Sequence, residues 1–206
     1  MSRFKSVPAT LQGINQSDWP STFDNVVIGL DRDGTINEDR GNYITDPSQL
    51  SYIPGSLDAI RQLRLRGHRV VILTNQAGIS KGLQTHQQVD RVHEKMMQDF
   101  GAAGIMSIDG LYYSTSNLKD DKFAKPNIGM FERAAQEHRL NWKRGYYVGD
   151  KISDLKAADK IGATPVLVYT GHGKETLQAL DTFANKELKK KTLVYESLAD
   201  FVSSLK

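Results

Sequence analysis

Two aspartates, Asp31 and Asp33, close the apolar run VVIGL (residues 26–30) and are followed at once by Gly34 and Thr35. A carboxylate at the end of a buried strand is costly unless something partners it. Were the strand to continue, a period of two would point both side chains the same way. Two such groups repel, and both ionise comfortably only beside a cation or a shared proton. A hard divalent cation, Mg²⁺, takes oxygen ligands and meets that demand. Asp150, at the end of GYYVGD, offers a further carboxylate. Gly34 allows a sharp turn whose backbone N–H groups suit a phosphate. Thr74 and Asn75, which end RVVILTN, and Lys125, which precedes Pro126, can donate to the same anion. A carboxylate facing a phosphate so neutralised can attack phosphorus, while its neighbour protonates the leaving oxygen and later takes a proton from water. The expected chemistry is therefore phosphoryl transfer.

The elements that must carry these groups are legible from pattern. Val26–Leu30, Arg69–Asn75, the stretch from Gly110 (GLYYS), residues 145–150 and PVLVYTG read as strands, most of them solidly apolar. Between them lie helical stretches: SLDAIRQLRLRG, stopped by Gly67; a long helix capped by Thr85 with Val89, Val92, Met96 and Phe100 on one face; Asn127–His138; and ISDLKAADKIG, closed by Gly162. The tail from Lys174 reads as helical, broken by a short LVY strand. Alternating strands and helices with apolar strands argue for an α/β fold, a parallel sheet covered on both faces. Ligands in such a sheet sit outside the carboxyl ends of the strands, which is where Asp31, Thr74, Asn75 and Asp150 fall.

Composition removes several other classes. The chain has 206 residues, 39% hydrophobic and 25% charged, and no cysteine. That excludes disulfides, a thiol nucleophile and any thiolate zinc site. A net charge of +3 is too small to argue for nucleic acid, and the basic run KELKKK reads as a solvated helix face. No apolar run is long enough to span a bilayer, and the polar first 25 residues lack the core of a secretion signal. The expectations are a cytoplasmic monomer with no membrane or nucleic-acid partner, an N-terminal extension over 1–25 and one catalytic domain over 26–206. The five histidines show no ligand spacing and are expected to be structural or exposed.

DRDGTIN, ILTNQAGI, Lys125-Pro126 and VGDKISD, in that order, resemble the four motifs of the haloacid dehalogenase superfamily of aspartyl-phosphate phosphatases. The resemblance implies a Rossmann-like three-layer sandwich, Asp31 as nucleophile and Asp33 as general acid/base. It implies Thr74, Asn75 and Lys125 as phosphate contacts, and Mg²⁺ held by Asp31, Asp150 and the Asp33 backbone carbonyl, with Asp154 behind them. The short segments between motifs leave no room for a large cap domain. More narrowly, DRDGTINEDRGNYI, IPGSLDAIRQL and TNQAGISKG are similar to D-glycero-D-manno-heptose 1,7-bisphosphate 7-phosphatases and the related histidinol-phosphate phosphatases. That likeness implies a small phosphorylated sugar as substrate, met by Arg32, Gly34, Asn37, Thr74, Asn75, Lys125 and Lys151. The chain departs from the pattern in STSNLKDDKFAKP, which lacks the cysteines and histidine of the group's zinc loop and has Ala124 where an arginine is usual. No zinc is expected, and Lys119, Lys122 or Arg40 are the cations at hand to replace that arginine. The competing expectations are a histidinol-phosphate phosphatase and a non-catalytic phosphosugar-binding protein on the same fold.

Overall fold

The computed structural model describes residues 26–39, 41–116, 118 and 120–205. The expected extension over 1–25, and Arg40 and Lys119, lie outside the described residues. Among those described, the strands are β1 (Val27–Leu30), β2 (Arg69–Asn75), β3 (Gly110–Ser114), β4 (Tyr146–Gly149), β5 (Thr164–Val168) and β6 (Leu193–Tyr195). They form one sheet in the order β3-β2-β1-β4-β5-β6, and every pairing is parallel. The helices are α1 (Ser56–Leu65), α2 (His86–Ala102), α3 (Gly129–His138), α4 (Ile152–Ile161), α5 (Gly173–Leu180), α6 (Lys186–Lys191) and α7 (Leu198–Ser204).

The strands are apolar throughout because both faces are covered. Ile28, Leu30, Val70, Ile72, Val148, Val166 and Val168 enter one core with residues of α1, α2 and α7. Their alternate neighbours Val27, Val71, Leu73 and Tyr147 enter the other, against α3 and α4. A strand serving two cores cannot show a polar face, and burying each of these side chains fully contributes about 1.5–3 kcal/mol. Arg66 ties α1 to the tail, donating from Nη1 to Val202 O and Leu205 O at 3.0 Å each.

The helix ends follow the expected signals. Thr85 and Gln88 form a reciprocal capping box on α2, and Gly162, at φ 83°, terminates α4. One start differs: α3 begins at Gly129, not Asn127. Asn127 Nδ2 donates to Asp121 O at 2.9 Å and Gly129 N to Lys122 O at 2.8 Å, so these residues are tied back into the preceding loop. The basic run KELKKK forms α6; Leu188 is buried, while Lys189, Lys190 and Lys191 face solvent, paired with Asp181, Glu187 and Asp159.

The strand order reverses between β1 and β4, since the chain runs outward through β2 and β3 before returning beyond β1. Such a switch point leaves a crevice at the carboxyl ends of the two strands. Among the described residues between β1 and α1 the chain forms a short 3-10 turn at Pro47–Gln49 and two isolated β-bridges at Asn37, and no cap domain occurs. No described helix is long and apolar enough to cross a membrane.

Candidate active site

β1 ends at Leu30, so Asp31 and Asp33 sit on a turn and not on a continued strand. Ile36 N and Asn37 N both donate to Arg32 O, at 2.9 and 3.1 Å, and Gly34 N donates to Asn37 O at 2.7 Å. The turn parts the two carboxylates, in place of the shared direction expected from strand period. Each heads its own cluster.

Asp31 meets Asp150, at the end of β4, and Asp154, in the first turn of α4; oxygens of the three lie within 4.8 Å of one another. Lys125 Nζ stands among them, 2.8 Å from Asp31 Oδ1 and 2.7 Å from Asp154 Oδ1. The same ammonium donates to Leu73 O and to the Tyr147 hydroxyl, both at 2.8 Å. Burial pushes the Asp31 carboxyl above the usual carboxylate range against the pull of Lys125. Burial likewise pushes Asp150 up to about 8, with Asp154 and Asp31 adding to it and Lys151 opposing. Asp150 Oδ2 accepts from His172 N at 2.8 Å, while its Oδ1 is buried with no hydrogen-bond partner. A buried, unsatisfied carboxylate oxygen within reach of two further acids is the donor set a hard cation takes.

Glycines make this crowding possible. A Cβ on Gly34 (φ 83°) or on Gly171 (φ 56°) would stand 2.2 Å from Asp150 Oδ2. Gly29 leaves room for the Tyr147 ring beside β1, where a Cβ would come within 2.5 Å of it. So placed, the Tyr147 hydroxyl donates to Leu73 O at 2.5 Å and accepts from Lys125.

Asp33 is held differently. Arg32 Nε donates to its Oδ1 at 3.0 Å and Arg32 Nη2 to its Oδ2 at 2.8 Å. Asn37 Nδ2 reaches Oδ1 at 2.9 Å and Gln76 Nε2 reaches Oδ2 at 2.8 Å. Burial opposes ionisation, but Arg32, Asn37 and Gln76 together outweigh it and hold the carboxyl below its ordinary range.

The other expected site residues divide. Lys125, Asp150 and Asp154 converge on Asp31, Asp154 standing within the acid cluster itself. Thr74 is buried, its hydroxyl accepting from Gln76 Nε2 at 3.0 Å. Asn75 exchanges two hydrogen bonds of 3.0 Å with the main chain of Lys125, which fixes where that lysine starts. Lys151 lies at the mouth, its Nζ 2.8 Å from Asp39 Oδ2, and His172 Nε2 approaches the same oxygen at 3.4 Å. Arg32 is a correction: expected to meet substrate, it is 1% exposed, and the turn carries it inward onto Asp33, Gln76 and His93. Lys122, offered as a replacement for the missing arginine, lies over the Phe123 ring at 4.8 Å. Sequence reasoning passed over Tyr147, Gln76 and His93. His93 did leave a signal, a polar residue on the helix face of Val89, Val92 and Met96.

An open parallel α/β sheet with buried acids and a lysine gathered at its switch point defines an enzyme of the doubly wound hydrolase type. Residues 122–201 match the HAD-hydrolase-like family model. The chain is 35% identical over 176 residues, 85% of its length and 91% of the relative's, to the D-glycero-beta-D-manno-heptose-1,7-bisphosphate 7-phosphatase of Neisseria meningitidis serogroup A. It is 34% identical to the protein of that name from Pseudomonas putida, over 85% of this chain and 97% of the relative. Among solved structures it resembles the D,D-heptose 1,7-bisphosphate phosphatase from B. bronchiseptica complexed with magnesium and phosphate. That match has a TM-score of 0.78 and 31% identity, over 86% of this chain and 96% of the other. The chain belongs to the haloacid dehalogenase-like phosphatase family, the phosphoric monoester hydrolases.

Proposed function

We propose that the protein is a Mg²⁺-dependent phosphatase of a small phosphorylated sugar, with D-glycero-D-manno-heptose 1,7-bisphosphate as substrate and its 7-phosphate as the group removed. The observation that carries the chemistry is the convergence of Asp31, Asp150 and Asp154 within 4.8 Å of one another, with Lys125 paired to Asp31 and Asp154. The names of the relatives support the substrate. Residues 26–206 form the catalytic domain, and residues 1–25 an extension to it.

Asp31, Asp150 and the backbone carbonyl of Asp33 would hold Mg²⁺, and the orphaned Asp150 Oδ1 fits that role. When bound, the ion neutralises phosphate charge and offsets the mutual repulsion of the acids. An Asp31 carboxylate oxygen attacks phosphorus; the bond to the leaving oxygen breaks, and that oxygen takes a proton from the Asp33 carboxyl. Water then attacks the aspartyl phosphate and gives its proton to the Asp33 carboxylate. The bond between phosphorus and Asp31 breaks, freeing the carboxylate and inorganic phosphate. The Arg32 pairing favours the ionised Asp33 that the second half needs, and an incoming phosphate dianion raises its proton affinity for the first. Lys125 compensates charge on Asp31 and on the transferring oxygens, while Tyr147 and Asn75 keep it in place. The Gly34 turn, Thr74 and Lys151 frame the phosphate and the sugar. Asn37, expected to meet substrate, is instead fully buried with its amide on Asp33 and Glu38 O, and acts through the Asp33 carboxyl.

Phosphate release from the heptose bisphosphate, histidinol phosphate and nucleoside monophosphates, compared by kcat/KM, tests the substrate. The heptose bisphosphate is expected to lead by at least about tenfold, a difference worth roughly 1.4 kcal/mol in the transition state. Asp31→Asn is expected to abolish release from all of them; turnover retained in that variant ends the assignment of the nucleophile.

A further inference from the structure

Arg32 is the largest fully buried side chain among the described residues. A guanidinium out of water must spend its donors. Nε and Nη2 form a fork on the two oxygens of Asp33, at 3.0 and 2.8 Å, and Nη2 also donates to Gln76 Oε1 at 3.1 Å. Nη1 lies 2.9 Å from His93 Nε2. Arg32 has no lone pair to offer, so His93 accepts through Nε2 and carries its own proton on Nδ1.

His93 reaches this place from α2, sixty-one residues along the chain, on a face otherwise made of Val89, Val92, Met96 and Phe100. An apolar residue would fill that position without the desolvation cost of an imidazole. The ring is wedged edge-on against Tyr113, centroids 5.4 Å apart, which fixes its plane. The Tyr113 hydroxyl is in turn 3.2 Å from His86 Nδ1 and 3.3 Å from Asp90 Oδ1 on the same helix. A rigid helix is thereby linked through two buried side chains to one carboxyl at the site.

We infer that Arg32 and His93 form a positioning pair for Asp33: His93 sets the plane of the guanidinium, and the guanidinium fork sets the angle at which the Asp33 carboxyl meets the leaving oxygen. Both are buried and neither touches substrate. The inference rests on the reading of Asp33 as the group that protonates that oxygen. A carboxyl displaced by a fraction of an ångström matters most where the leaving oxygen is most basic.

The test compares phenyl phosphate with 4-nitrophenyl phosphate at saturating Mg²⁺, using kcat/KM, which reports steps through departure of the leaving group. Loss of positioning is expected to lower kcat/KM for phenyl phosphate about tenfold in His93→Leu, and for the 4-nitrophenyl ester only about twofold. His93→Gln retains an acceptor for Arg32 and is expected to return both to within about threefold of the unaltered protein. Arg32→Lys keeps the charge without the fork and is expected to show the same bias toward the poorer leaving group. It also carries the comparison should His93→Leu fail to fold, with melting curves separating the two cases. Equal losses on both esters, or a His93→Gln variant no better than His93→Leu, overturn the positioning pair. If the unaltered protein releases phosphate from neither the aryl esters nor the heptose bisphosphate, the phosphatase reading itself falls and takes the pair with it. If it turns over the bisphosphate alone, an unchanged kcat/KM for that substrate in His93→Leu overturns the pair.

Discussion

Asp31 and Asp33 are separated by one residue, yet they end in clusters built on opposite principles. Around Asp31, three buried acids crowd together, only Asp31 and Asp154 are paired with the buried Lys125 ammonium, and the Asp150 carboxyl is pushed up to about 8. Around Asp33, one carboxylate faces a guanidinium and two amides, and each of its oxygens accepts two hydrogen bonds. The first is unbalanced in charge and is completed by something that binds. The second is complete within the chain and holds a single side chain still. A site that must both take up a charged ligand and keep a proton-transfer group aimed needs one of each.

The contrast is broken most severely by removing the shared ammonium. Lys125→Met leaves Asp31 and Asp154 buried without their cation, and breaking such a pair costs about 3–5 kcal/mol. Urea unfolding with a chelator present is expected to show that loss, and phosphate release to fall by at least about a hundredfold. A Lys125→Met protein with unchanged stability would mean that solvent or protons compensate the acids in its place. Gly171→Ala comes next. The left-handed φ of 56° and a Cβ 2.2 Å from Asp150 Oδ2 together predict a loss of about 2–3 kcal/mol. Mg²⁺ titrations of activity are expected to shift to higher metal concentration, because Asp150 must move away.

The acid cluster also sets the direction of a pH effect. A carboxyl whose folded pKa is raised holds its proton in the folded state between the unfolded value, near 3.8, and about 8. Across that window the folded protein binds more protons than the unfolded, so this group makes stability fall as pH rises, levelling off above pH 8. With chelator present, melting temperatures measured from pH 5 to pH 8 are expected to decline more steeply for the unaltered protein than for Asp150→Asn. Added Mg²⁺ is expected to raise the melting temperature most at the alkaline end, where it no longer competes with a proton. Asp33 runs the other way: its lowered pKa contributes stability that is lost only on acidification.

Much of this site was legible because strand ends are legible. RVVILTN and GLYYS are apolar runs that become β2 and β3 without adjustment, so their last residues, and those of β1 and β4, point to one edge. Which way a side chain turns after the strand ends was not legible. Strand period put Asp31 and Asp33 together, but the turn closed by hydrogen bonds to Arg32 O separates them and carries Arg32 into the interior. A charged residue between two acids reads as solvent-facing until its partners are known, and those partners, Gln76 and His93, come from other elements. Tyr147 was equally invisible, since its contact with Lys125 depends on the space that Gly29 leaves beneath it.

The smallest expected effect concerns the mouth, where the two clusters meet solvent. Lys151 Nζ pairs with Asp39 Oδ2, and the lysine side chain is 39% exposed. Asp150 and Asp31 hold the Lys151 ammonium above its usual range against the cost of its own burial. Asp39 is kept ionised below its ordinary range chiefly by the Lys151 hydrogen bond, against its own partial burial. The lysine end of the pair is open to solvent while the Asp39 side chain is 13% exposed, so the pair is worth about 1 kcal/mol and Asp39→Asn is expected to lower the melting temperature only slightly. Its effect is on binding: with Asp39 neutral, Lys151 no longer has to leave an ion pair before meeting a phosphate or a sugar hydroxyl. KM is expected to fall about two- to threefold at constant kcat, and Lys151→Met to raise it by more than that. A fall in kcat in Asp39→Asn without change in KM would place Asp39 with the proton-handling groups around Asp33 instead of at the entrance.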